Sequence, residues 1–145
     1  MKQIGFTIVE LITTVAIILI ITAVTWSMLY RSIPHNQLAG ASQEIVSALK
    51  DAQSSAVKSQ NKFLVRFDIN NKKYFVFEIV NNVEQSRGET ALPNKVLFSA
   101  VNLTDNQVIF NSTGVPDYPG SLRLTNSLSE IKTIQINSSG LIYIE

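Results

Sequence analysis

The residue whose chemistry stands out is Glu10. In MKQIGFTIVELITTVAIILIITAV it stands at the head of a run that carries no charge from Leu11 to Tyr30. A carboxylate inside a bilayer costs about 3 kcal/mol on insertion scales and more in other estimates, so an acid in this position is by default a functional hypothesis. It either finds a cation or lies at the membrane–water interface. The other candidates have simpler readings. His35 is the single histidine, which leaves a Ser-His-Asp triad or a histidine metal cluster little to draw on; a loop or interface role is expected. Asn111, Asp117 and Tyr118 lie in NSTGVPDYPG and carry oxygens of the kind calcium takes, but turn formation accounts for them more simply. Phe63, Phe67, Phe75 and Phe77 could stack bases; at strand spacing they read as core and cross-strand packing. Cysteine is absent, which removes disulfides, thiolate zinc sites and a cysteine nucleophile. Nothing in these patterns requires a cofactor or a catalytic role.

The elements that must hold these residues follow from periodicity. Leu11 to Tyr30 is about 20 residues, roughly 30 Å as a helix, which matches the hydrocarbon thickness of a membrane. A secretory signal peptide has a shorter apolar region followed by a small-residue cleavage site, and no such site follows here. Past Arg31, apolar residues recur at three-and-four spacing (Leu38, Ala41, Ile45, Ala48, Leu49, Ala52, Ala56) while Gln43, Glu44, Lys50, Asp51 and Lys58 fill the other face, an amphipathic helix. Pro34 and Gly40 lie between the two patterns. One long helix is expected, bent or locally loosened between Ser32 and Gly40, with small alanines that let a sheet approach.

From Asn61 the period changes to two. KFLVRFDI, a turn at Asn70-Asn71-Lys72, and KYFVFEIV predict a hairpin. NNVEQSRGET reads as a polar loop. Shorter strands are expected at KVLFSA, QVIF, SLRLT, IKTIQI and LIYIE, separated by turn-rich segments. Short connections favour antiparallel pairing. The fold class expected is therefore α+β: a long N-terminal helix packed on an antiparallel β region. From Asn61 to the end, about eight basic residues and about eight acidic ones are interspersed, so no electrostatic footprint for nucleic acid is evident.

Together the first residues carry a resemblance. MKQIG followed by FTIVEL and an apolar helix resembles the prepilin leader of type IV pilins and type II secretion pseudopilins. The resemblance implies cleavage after Gly5 by a membrane prepilin peptidase, methylation of Phe6 as the new first residue, and an assembly role for Glu10. It implies three segments: a leader over 1–5, a transmembrane and polymerisation helix over 6–34, and an extracytoplasmic globular domain over 35–145. A second resemblance links QEIVSALKDAQSSAVKSQNKFLVRF to the minor pseudopilin GspH/FimT group, whose members often carry an L..AL..AR..A...N pattern. Leu49, Ala52, Ala56 and Asn61 fit that pattern, while Gln53 replaces the arginine. FNSTGVP and IQINSSGLIYIE are similar to that group's later strands. Many pilins place a proline within the membrane half of the helix; here the first proline is Pro34.

What the resemblance implies is a structural subunit, a minor pilin or pseudopilin, and not an enzyme. Its expected partners are other pilin subunits, the prepilin peptidase and an inner-membrane assembly platform. Its expected place is the bacterial inner membrane, crossed once, with the C-terminal domain outside the cytoplasm. The alternative is a DNA-binding or adhesive minor pilin of a DNA-uptake pilus. Residues 140–145, the final strand, carry no lysine or arginine, which weakens a basic-tail version, since phosphate contacts need cations.

Overall fold

A computed structural model describes residues 7–145, with the backbone alone at Ser27 and Met28. Helix α1 runs over Ile8–Ser59. The chain divides into two compact units, one ending at Ile33 and the other spanning Pro34–Glu145.

Within the first unit the apolar side chains are uncovered; Ile8 is 75% and Trp26 74% exposed. Threonines do not break this apolar surface. The hydroxyls of Thr13, Thr22 and Thr25 donate to the carbonyls of Val9, Ile18 and Ile21, four residues back, at 2.9, 2.7 and 2.8 Å. Thr14 donates to Leu11 at 2.8 Å. Backbone carbonyls of the same helix thus satisfy these polar groups.

α1 holds Pro34 and Gly40 in its interior. A mid-helix proline loses an amide bond and crowds the carbonyl four residues back; here the Pro34 ring is fully buried, and that burial offsets part of the cost. In the second unit Leu38, Ala41, Ile45, Leu49, Ala52 and Ala56 are buried, as the three-and-four spacing predicts; Ala48 is only half-buried, and Ser42 and Val46, outside that spacing, are buried beside them. α1 ends where Gln60 takes a left-handed φ of 57°.

Eight strands follow: β1 Lys62–Asp68, β2 Lys73–Val80, β3 Val83–Ala91, β4 Val96–Asn102, β5 Gln107–Phe110, β6 Gly120–Asn126, β7 Ile131–Ile136 and β8 Ile142–Ile144. They form two antiparallel sheets, β3-β2-β1-β5 and β4-β6-β7-β8. The core gathers the helix stripe with Val65 and Phe110 of the first sheet and Leu122 and Ile134 of the second. Phe67 of β1 meets Phe98 of β4 edge-on, with centroids 5.9 Å apart, an aromatic contact between the sheets.

One segment departs from expectation: NNVEQSRGET is not a loop but holds most of β3. Its signal was hidden because nearly every β3 side chain is exposed, and alternation marks only strands with one covered face. The local cue was Asn81-Asn82, both at positive φ (52° and 63°), between the paired Val80 and Val83. That is the backbone of a two-residue hairpin turn.

Two further turns share one design. Asn111-Ser112-Thr113-Gly114 and Asn137-Ser138-Ser139-Gly140 each close with the glycine amide donating to the asparagine carbonyl, at 2.9 Å in both, and each glycine has positive φ (81° and 85°). Both glycine carbonyls accept from Gln53 Nε2, at 2.7 and 2.9 Å.

Candidate functional site

Thr7 precedes the first helical residue, and Glu10 stands three positions later. The Glu10 amide donates to Thr7 Oγ1 at 3.3 Å, and the Glu10 carboxylate accepts from the Thr7 amide at 3.4 Å and from its hydroxyl at 3.2 Å. This is a reciprocal capping box, which satisfies two amides that the start of a helix leaves orphaned. The T-x-x-E spacing that encodes it is legible in TIVE, though the charge drew attention first. Negative charge in a first helical turn is also favoured by the helix dipole. Glu10 thus sits at an exposed helix end whose following surface is apolar and uncovered. Gly5 and Phe6 lie outside the described residues.

His35 lies on α1 rather than in a loop. Its Nδ1 is 3.1 Å from Glu130 Oε2, and Glu130 also accepts from Asn126 Nδ2 at 2.7 Å. Asn126 first, then His35, hold the Glu130 carboxyl below its ordinary range. Asn111 Oδ1 accepts from the Thr113 hydroxyl and from the amides of Thr113 and Val115; it is occupied in building its own turn. Asp117 pairs with Lys62 at 3.5 Å, and Tyr118 is exposed. Among the described residues no three histidine, cysteine or acidic side chains gather as a metal cluster. Phe63 and Phe67 are buried. Phe75 and Phe77 lie half-buried on the same sheet, stacked with centroids 6.2 Å apart, and Arg66 covers Phe77 at 5.2 Å. The cross-strand reading therefore describes them, and the cation already occupies one ring face.

A concavity of about 540 Å³ lies between α1 and β2-β3, with Ala48, Ala52, Phe63 and Val76 in its lining. At its edge Glu78, on the core-facing side of β2, accepts from Asn61 Nδ2 at 2.7 Å and from Arg87. Asn61 and then Arg87 hold the Glu78 carboxyl below its usual range. The acid ties the end of the helix to the outermost strand of its sheet. An acid with two such donors serves structure, since a general acid–base group needs a pKa near working pH. Periodicity assigned Glu78 no role, because its partners come from separate elements.

A helix packed on two antiparallel sheets is the arrangement that comparison with known structures finds again. The chain is similar to the minor pseudopilin EpsH from the type 2 secretion system of Vibrio cholerae, with a TM-score of 0.65 at 15% identity over 75% of this chain and 96% of that one. It is also similar to the type IV minor pilin FimU of Pseudomonas aeruginosa, with a TM-score of 0.63 at 15% identity over 77% of this chain and 90% of that one. At such identities the likeness speaks for the fold. No curated protein matches the chain at a significant level. Residues 41–140, which hold the amphipathic half of α1, β1 to β7 and both glycine turns, match the family described as Type II transport protein GspH. By that match the chain belongs to the GspH family, and its fold is that of a pilin-like subunit.

Proposed function

We infer that the chain is a minor subunit of a type II secretion pseudopilus or type IV pilus, made as a precursor and inserted into a filament by its N-terminal helix. In this reading a prepilin peptidase cuts after Gly5 and methylates the amine of Phe6. The helix up to Pro34 spans the inner membrane once, and residues 35–145 lie outside the cytoplasm. Other pilin subunits and an inner-membrane assembly platform are the partners. The observation that carries the reading is the position of Glu10, the single acid at the head of an uncovered apolar helix.

The physics is direct. Cleavage creates a cation one residue before Thr7, about one helical turn from the Glu10 carboxylate. Attraction between opposite charges grows as the dielectric falls, while a desolvated charge without a partner is strongly penalised. A neighbour's amine can replace the hydrogen bonds that Thr7 offers Glu10 within the chain. Parallel packing in a fixed stagger then satisfies both charges.

The test is mass spectrometry of the membrane-extracted chain from cells with and without the peptidase. Loss of residues 1–5 and one added methyl group only where the peptidase is present is the expected result. An intact leader in peptidase-competent cells would overturn the reading.

A further inference from the structure

The outer edge of the first sheet runs beside an open groove. β3 pairs with β2 alone. The Leu92 amide donates to the Lys72 carbonyl at 2.8 Å, and opposed residues of an antiparallel pair alternate between bonded and unbonded positions. Thr90, opposite Tyr74, and Gly88, opposite Val76, therefore turn their amides and carbonyls toward β2. Those of Glu89 and Ala91 point the other way, and among the described residues no backbone group meets them. The groove of about 540 Å³ between α1 and β2-β3 lies against this same stretch, with Gly88 and Thr90 on its strand wall and Asp51, Ser55 and Lys58 on its helix wall.

Two features shape the groove. The register shifts between Val76 and Phe77, so Arg87 is an extra residue on β3, a bulge that confines regular pairing to the residues beyond it. Gly88 comes next. It does not take a positive φ, and a Cβ built on it meets nothing within 4 Å, so neither the backbone nor crowding demands glycine there. Glycine weakens the interior of a strand and marks places where a ligand or a second backbone comes close. The two ends of the groove also differ in charge. Burial first, and the charge of Glu44 with it, hold the Tyr74 hydroxyl above its ordinary range, while the Ser59 hydroxyl lies by Glu78; α1 thus runs in the same direction as β2. Asp51 stands toward the Tyr74 end and Lys58 at the Glu78 end, where Glu78 is already matched by Arg87. Neither Asp51 nor Lys58 has an ion-pair partner among the described residues.

We propose that an extended segment of a different protein chain docks here as an added strand, with an apolar side chain set between a basic and an acidic one. Its backbone pairs with Glu89 and Ala91, whose free amides and carbonyls a lipid chain would leave bare. Residues of an added strand that lie level with Gly88 and Thr90 point to the same face as those two, which is the face that opens into the groove. The apolar side chain enters the space left by Gly88, over Ala52 and Val76. The basic one lies toward Asp51 and the acidic one toward Lys58. Residues four apart in a strand stand about 14 Å from each other, and residues seven apart on a helix about 10.5 Å, a difference that long side chains span. The site is built within the globular unit and does not depend on the membrane-spanning reading.

The test is a display library of random linear peptides selected on the full chain in lauryl maltoside micelles. Enriched peptides are expected to carry an acidic, an apolar and a basic residue at every second position. Added to the protein, they should slow hydrogen exchange at the amides of Glu89 and Ala91. Gly88→Val fills the opening without a clash, since the space is empty and valine suits a strand; its urea midpoint should equal or exceed that of the parent. It should weaken each selected peptide at least tenfold, and Lys58→Glu several-fold. Peptides that bind Gly88→Val as well as the parent overturn the proposal. So does a selection that returns no common pattern, or one whose peptides leave the Glu89 and Ala91 amides exchanging freely. If the parent pairs with itself in micelles and Gly88→Val abolishes the pairing, the occupant is a second copy of this chain and the proposal of a different one falls.

Discussion

The side-chain amide of Gln53 donates to the carbonyl of Gly140 at 2.9 Å, and the same nitrogen donates to Gly114 at 2.7 Å. A single helical residue thereby fastens two turns that lie 61 and 87 residues away in sequence. A Cβ on Gly140 would fall 2.6 Å from Gln53 Nε2 and 2.9 Å from the Gly114 carbonyl. Only glycine allows that approach at a φ of +85°. Gln53→Leu leaves two partly buried carbonyls without donors and should cost about 1–3 kcal/mol. Gly140→Ala adds the left-handed penalty to a clash and should cost about 2 kcal/mol or more. Gln53→Arg, the arginine of the L..AL..AR..A...N pattern that this stretch resembles, keeps donors for both carbonyls and should stay within about 1 kcal/mol of the parent. Urea unfolding of the full chain in detergent, followed by β-sheet circular dichroism, ranks the three. An arginine variant as unstable as the leucine one would refute the clamp.

Phe67 supports a second prediction. It is 2% exposed and meets Phe98 across the two sheets at 5.9 Å and Tyr74 of the neighbouring strand at 6.3 Å. Phe67→Ala should cost about 3–5 kcal/mol, because the contact lines cannot close over the cavity. Phe75→Ala, on the half-buried outer face, should cost much less. The same unfolding measurement compares them, and equal losses would mean that the inter-sheet contact adds nothing.

These residues show what the sequence could reveal. The buried helix stripe was legible because each of its positions faces one core, and β1 and β2 because their core-facing side alternates. β3 was illegible by that rule: with both faces open to water there is no pressure to alternate, and Val83–Ala91 is polar along its length. The Thr7–Glu10 cap is local and its spacing is written in four consecutive residues. The Gln53 clamp is not local. Its two turns repeat the motif Asn-Ser-Ser/Thr-Gly, but nothing short of the folded chain brings either one to the helix.

Acid should expose the role of Glu78. Its carboxyl lies below the ordinary range because Asn61, and then Arg87, donate to the charged form. A folded pKa below the unfolded one means that the unfolded chain binds the proton more readily. The stabilisation is therefore fully present above the unfolded value of about 4.3 and is lost as pH falls through the lower folded value. Glu130 and Asp68 are shifted in the same direction, so the whole acid limb should be steep. Glu78→Gln should lower the neutral plateau and make the limb shallower, so that the two curves converge at low pH. Urea midpoints collected from neutral pH down to about pH 3 test this. A parallel acid limb in the variant would show that Glu78 binds its proton equally in both states.

Glu10 permits a separation between capping and assembly. In the single chain its carboxylate closes a capping box with Thr7, and in the proposed filament it also meets a neighbour's amine. Glu10→Gln keeps the oxygen and nitrogen needed for the cap but removes the charge, whereas Thr7→Val keeps the charge and removes the cap. A cap of this kind is worth about 1 kcal/mol, and a single helix end can fray without loss of the fold. If the charge is what assembly uses, Glu10→Gln and Glu10→Leu should both fail to enter filaments while Thr7→Val still enters, with leader removal intact in all three. Recovery in sheared filament fractions, normalised to processed protein in membranes, gives the comparison. Normal incorporation of Glu10→Gln would transfer the function of this position from the charge to the helix cap.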